Sequence, residues 1–203
     1  MTRPARQDAA PDQPPPPRRT TRLTGSDTGL VRLTFRRMAD RRPVETLVER
    51  DDGVAFAMRG AGGGRDLPHD LVHAVVEQQL GVGDGIWGCV ADGVVWRSMT
   101  HLSGRQPPHA ADRSHRLKRE RSGSIRRAEA LADVVSRLAS GSEVLPGELT
   151  ATGMPRPALA AAAAELREVG CRWTGLSVGD VWVVEWPAAP AGRRKDGHSA
   201  RCT

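Results

Sequence analysis

The sequence predicts an α+β fold, in which an antiparallel β-meander over about 29–59 is closed by a C-terminal strand over about 180–186. Over 29–37 polar side chains alternate with apolar ones, and at the end of the chain Val181, Val183 and Glu185 alternate with Trp182, Val184 and Trp186. Both patterns have the period of two that is typical of strands. Between them, apolar side chains recur every three or four positions. This spacing predicts three helices packed on the sheet, over about 67–80, 124–139 and 156–174.

The meander is predicted from two short apolar runs that follow the first strand at 29–37. These runs, 44–49 and 54–59, flank the dipeptide Asp52-Gly53. Asp-Gly between apolar runs is typical of a β-hairpin, because glycine adopts the positive φ that tight hairpin turns require. We therefore expect the three strands to pair in chain order.

The helices have recognisable ends. Pro68 lies in the first turn of the first helix, where its missing N–H leaves no hydrogen bond unmade, and Gly81 follows the last turn. The last helix opens at Pro155 or Pro157. Residues 84–99 hold two short apolar runs, which fit either two strands or a helix followed by a turn.

The composition divides the chain into one domain and two tails. Residues 1–27 are rich in Pro and Arg, so we expect a disordered arm, and residues 189–203 should form a flexible basic tail. Between them, 28–188 should be a single domain. Within it, 100–122 is predicted to be a basic loop, because it carries several arginines and two adjacent prolines without an apolar period.

The formal charge of +6 and the pI of about 10.4 favour attraction to phosphates. Weak nonspecific contact with nucleic acid, through the Arg-rich tails and loop, is therefore expected. The N-terminal residues lack the apolar segment of a signal peptide, and no run approaches the roughly 18 apolar residues of a membrane span. We expect a cytoplasmic protein that does not enter membranes.

The most site-like feature is the pair His69 and His73 on the first predicted helix. Side chains four residues apart lie on one helical face, so the two imidazoles could share a metal ion, with zinc the candidate. Asp70 stands where the zinc-protease pattern HExxH has its general base, and its side chain is one methylene shorter.

A third ligand would have to come from outside this helix. Glu77 lies about 12 Å from His69 along the helix axis, too far to share an ion with both histidines, and we expect it to be solvated. The candidates elsewhere are His101, His109 and His115. The alternative is that His69 and His73 are half-buried core residues hydrogen-bonded to backbone, with Asp70 complementing the helix dipole.

Two further patterns carry weaker hypotheses. Residues 83–88 spell GxGxxG, but a helix precedes them, so a tight turn beside a buried Trp87 is expected rather than a dinucleotide site. Residues 124–186 could form a winged helix-turn-helix, with 156–169 as the recognition helix and 172–186 as the wing. That helix offers few hydrogen-bond donors for base edges.

Several segments resemble a family of uncharacterised proteins from high-GC actinobacteria. They are Leu-Pro-His-Asp-Leu-Val-His-Ala-Val-Val-Glu at 67–77, Gly-Ile-Trp-Gly at 85–88, and a closing segment at 172–187 that begins Arg-Trp and ends Glu-Trp-Pro. The resemblance covers roughly 28–188 and implies one continuous domain. It disfavours a wing, because the closing segment would be a turn and one strand, and it implies no activity.

Together these observations favour a non-enzymatic binding or regulatory domain of unknown partner. The alternatives are a metal-binding protein or degenerate metal-dependent hydrolase that uses His69 and His73, and a DNA-binding protein with a winged helix in 124–186. The sequence indicates no catalytic residue, and zinc is the one cofactor that it suggests.

Overall fold

The computed structural model describes residues 30–40 and 42–187. The predicted arm over 1–27 and the predicted tail over 189–203 lie outside the described residues. In chain order the described elements are β1 (Val31–Arg36), β2 (Pro43–Arg50), β3 (Ala55–Gly63), α1 (His69–Leu80), α2 (Ile86–Ala91), β4 (Met99–Ser103), α3 (Ala110–Glu120), α4 (Ser122–Ser140), α5 (Pro146–Ala151), α6 (Arg156–Thr174) and β5 (Val181–Trp186).

The strands form one antiparallel sheet in the order β4-β3-β2-β1-β5. Strand β2 lies at its centre, and β1 lies between β2 and the edge strand β5, so the meander is closed by the C-terminal strand as predicted. Val31, Leu33 and Phe35 of β1 are buried, while the alternate residues face outward. The period-two pattern in the sequence therefore indicates which face of the sheet is covered by the helices.

The three predicted helices are confirmed, and they pack on one another and on the sheet. Helix α1 contacts α4 and α6 as well as β3 and β5, so it occupies the centre of the helical layer. Trp87 of α2 and Trp173 of α6 are the largest fully buried side chains. Among the helices of the described residues, none is long and apolar enough to cross a membrane.

The prediction of a basic loop over 100–122 is wrong, because this stretch contains most of β4 and all of α3. Helix α3 has no apolar stripe, and its one buried residue is Ser114. The Ser114 hydroxyl accepts a hydrogen bond from the N–H of Val95, and the Lys118 ammonium donates to the carbonyl of Val95. The helix is held by polar contacts that an apolar period cannot reveal.

The structure distinguishes between the alternatives that the sequence allows for two segments. Residues 86–91 form helix α2, followed by a turn, and 99–103 form the edge strand β4. Helix α6 continues through Gly170 to Thr174, and β5 pairs with β1. The predicted wing over 172–186 is therefore not formed; the segment joins the main sheet because Val184 and Trp186 are buried in the core.

Candidate metal centre

His69 and His73 lie on one face of α1, as their spacing predicts. Their ring centroids are 4.6 Å apart, with the planes at 75°. The His73 side chain is buried (1% exposed), whereas that of His69 is 54% exposed. The pair therefore spans the boundary between the core and an open cavity.

Glu129 of α4 completes the site. Its Oε2 atom lies 3.3 Å from Nε2 of His73 and 3.8 Å from Nε2 of His69. One ligand atom from each of the three residues lies within 4.8 Å of the others. Tetrahedral zinc with bonds of 2.0–2.1 Å separates its ligands by about 3.3 Å, so small side-chain movements would bring these three atoms to coordination distance.

The expected third ligand was a histidine, and the structure offers a glutamate instead. His101 Nε2 lies 2.9 Å from the carbonyl of Gly104, His109 lies 3.8 Å from Asp112, and His115 is exposed on α3. None of these histidines belongs to the cluster. No local pattern could indicate Glu129, because it follows His73 by 56 residues and meets it only through the packing of α4 on α1.

The expectation that Glu77 is solvated is wrong. Its side chain is 1% exposed, and its carboxylate accepts hydrogen bonds from the N–H groups of Ile86 (2.7 Å) and Trp87 (3.1 Å). These are the first N–H groups of α2, which have no partner within their own helix. Glu77 thus caps α2 from α1 and joins the two helices.

The glycines of the GxGxxG segment serve this arrangement. A Cβ atom at Gly85 would lie 2.6–2.8 Å from three atoms of the Glu77 carboxylate. A Cβ atom at Gly88 would overlap the carbonyl of Gly83. The fully buried Trp87 follows Gly85 and donates from its indole N–H to the carbonyl of Asp70. Residues 83–85 bend into α2 beside the buried Trp87, and the anion at the start of α2 is the chain's own carboxylate.

The Glu77 carboxylate also faces His73. Its Oε1 atom lies 3.6 Å from Nδ1 of the imidazole, within ion-pair range, and Nδ1 makes no hydrogen bond to any of the described residues. Metal-binding histidines commonly direct their second ring nitrogen to a carboxylate in this way. A neutral His73 with its proton on Nδ1 would leave the Nε2 lone pair free for a metal beside Glu129.

The same carboxylates perturb the protonation of His73. Burial alone would lower its pKa, but the contact with Glu77 and the charges of Glu129 and Asp70 outweigh burial and raise the pKa above its ordinary value. His73 thus has two available states. The protonated ring forms ion pairs with Glu77 and Glu129, and the neutral ring can bind a metal.

Asp70 is half-buried in the first turn of α1. Its carboxylate packs against the backbone of Gly60 on β3, where a Cβ atom would overlap Oδ2. Burial raises the pKa of this carboxyl, an effect that the nearby His69 and His73 reduce. Asp70 belongs to the first turn, as predicted, but it is not among the clustered ligands.

A cavity of about 240 Å³ opens beside the cluster. The polar part of its wall contains His69, Asp70, His73 and Glu129, together with Ser98. The rest is apolar and comes from Met58, Ile86, Trp87, Trp96 and Ile125. An ion held by the three clustered residues would therefore face space that a small molecule can enter.

Comparisons with known proteins supply no identity for the chain: no family model matches it, and no significant match exists among curated proteins or solved structures. The resemblance to the actinobacterial family stays a prediction.

Proposed function

We propose that this chain is a zinc-binding protein whose ligands are His69, His73 and Glu129. The observation that carries the proposal is the convergence of two imidazole nitrogens and one carboxylate oxygen, from two packed helices, within 4.8 Å of one another. The rigidity of α1 supports it, because the i and i+4 histidines are set in position before an ion arrives.

The donor set favours zinc among the common metals. Imidazole with carboxylate suits Zn²⁺ and other borderline divalent ions, whereas Ca²⁺ and Mg²⁺ prefer oxygen ligands throughout. Structural zinc sites usually have four protein ligands, whereas sites that bind or transform a small molecule keep one position open. Three ligands beside a cavity correspond to the second type.

A binding role fits the site better than hydrolysis. Hydrolysis would need a base within hydrogen-bond reach of a metal-bound water. Asp70 is the residue that the HExxH comparison places in that role, but its carboxylate is packed against Gly60 of β3. We therefore propose metal-dependent binding of a ligand, without a catalytic residue.

A zinc titration of the untagged, metal-free chain against a chelating dye tests the proposal. We expect one zinc ion per chain. His69→Ala and Glu129→Gln should each weaken binding by more than the roughly 10–100-fold that loss of an outer-shell partner costs. Both side chains are about half exposed, so the variants should fold.

His115→Ala and Glu168→Gln are matched controls, because each removes an exposed group of the same type from α3 or α6. They should bind zinc like the unchanged chain. The proposal fails if the chain binds no stoichiometric zinc, or if the two ligand variants bind it as tightly as the controls do.

A further inference from the structure

The cavity beside the three proposed ligands has two chemically distinct parts. Its polar part is formed by α1 and α4, which carry His69, His73 and Glu129. The other part contains Met58 of β3, Ile86 of α2 and further apolar side chains. A molecule in this cavity would contact metal ligands on one side and hydrocarbon on the other.

Contacts from α3 stabilise the apolar part of the cavity wall. The Lys118 ammonium lies 5.4 Å from the ring centroid of Trp96 and also donates to the carbonyl of Val95. Ser114 bonds to the N–H of Val95. These contacts hold the segment that positions Trp96, so this part of the wall is pre-organised for a ligand.

The second apolar wall comes from the helix that supplies Glu129. Ile125 precedes Glu129 by four residues on α4, so the two side chains share a helical face. Both line the cavity, and Ile125 is only partly buried. A group bound to the metal near Glu129 would therefore have its neighbouring atoms against Ile125.

We infer that the cavity binds a small molecule that combines a metal-binding head group with one compact apolar group. This inference rests on the proposed zinc site. The head group would complete the coordination of the ion, and the apolar group would lie between Ile125 and Trp96. The volume of about 240 Å³ lies below the roughly 300–1,000 Å³ of sites for drug-sized ligands. The apolar group is therefore about the size of one ring.

Two hydroxamates of different size test the inference. Benzohydroxamate and acetohydroxamate share the metal-binding head group, and only the first carries a ring. The chain is loaded with Co²⁺, and each compound is titrated while the visible spectrum of the ion is followed. We expect benzohydroxamate to bind at least about tenfold more tightly, since each buried CH₂-sized group contributes roughly 0.8 kcal/mol.

Ile125→Ala should leave Co²⁺ affinity unchanged and should weaken benzohydroxamate more than acetohydroxamate, which carries no ring, so the preference should fall. Leu149→Ala is the control, because it shortens a half-buried apolar side chain of α5 that lies outside the cavity. It should keep the full preference.

The outcomes separate the two proposals. Equal binding of both hydroxamates, or a preference that Ile125→Ala leaves intact, overturns the ligand inference while the metal site stands. Absence of a Co²⁺ spectrum that depends on His69 and Glu129 overturns the zinc site, and the ligand inference with it.

Discussion

Two glutamates flank the imidazole of His73 and differ in almost every respect. Glu77 lies 3.6 Å from Nδ1, is buried, and accepts two backbone hydrogen bonds at the start of α2. Glu129 lies 3.3 Å from Nε2 on the opposite side of the ring, and its side chain is 51% exposed. Neighbouring carboxylates can thus divide two roles: Glu77 stabilises the fold, and the exposed Glu129 is the one that we propose as a metal ligand.

The largest effect should come from removing Glu77. Glu77→Ala leaves the two buried N–H groups of Ile86 and Trp87 without an acceptor, and each such loss costs about 1–3 kcal/mol. We expect the free energy of unfolding in urea to fall by about 3 kcal/mol. Glu129→Ala should change it by less than about 1 kcal/mol, because exposed ion pairs contribute little. Equal losses in the two variants would contradict the division of roles.

A second prediction concerns the space around the Glu77 carboxylate. Gly85→Ala places a methyl group 2.6–2.8 Å from its atoms, whereas Gly83→Ala, two residues earlier, meets nothing within 4 Å. We expect Gly85→Ala to lower the melting temperature in line with an overpacking cost of about 1–3 kcal/mol. Gly83→Ala should leave it nearly unchanged. Equal melting temperatures of the two variants would contradict the close packing of Gly85 against the Glu77 carboxylate.

Because the pKa of His73 is raised, the stability of the zinc-free protein and its affinity for zinc should change with pH in opposite directions. Below its ordinary value of 6.5 the ion pairs of the protonated ring stabilise the zinc-free fold fully, and this contribution is lost as pH rises through the raised pKa. Zinc needs the neutral ring, so its affinity should rise with pH across that window, by about tenfold per pH unit for each proton displaced.

Urea unfolding of the metal-free chain and zinc titrations, both run from about pH 6 to pH 8, measure the two trends. His73→Gln should flatten the zinc-free stability profile in this range. Zinc affinity that does not depend on pH would mean that binding displaces no proton from His73.

The smallest effect is expected at Asp70. Because burial raises its pKa in the folded protein, the ionised carboxylate opposes folding at neutral pH, and this penalty disappears below the ordinary value of 3.8. Asp70→Asn should therefore raise the free energy of unfolding at pH 7, by less than about 1 kcal/mol, since a favourable charge in the first turn of α1 is also lost. Unfolding in acid should show no such gain. Lower stability of the variant at pH 7 would contradict the prediction.

The sequence indicated those parts of the molecule that are built on apolar periodicity. The alternation in β1 and β5 and the helical spacing in α1, α4 and α6 were sufficient, because these elements bury one face. Helix α3 was not predicted because polar contacts from Ser114 and Lys118 to the backbone of Val95 hold it in place. Strand β4 was not predicted because Met99 is its only buried residue.

Only the part of the site that depends on local spacing could be predicted. The spacing of His69 and His73 is local, so the helix alone brings them together. Glu129 could not be found, since only the packing of two distant helices places it there. Glu77 was misjudged by its distance from His69, although it follows His73 by four residues and falls within the buried stripe of α1.

The most direct test of the central claim is the position of zinc in the folded chain. Crystals grown with one equivalent of zinc should give an anomalous difference peak at the zinc absorption edge, about 2.0–2.2 Å from a nitrogen of His69, a nitrogen of His73 and an oxygen of Glu129. A peak at other residues, or no peak between α1 and α4, would contradict the account.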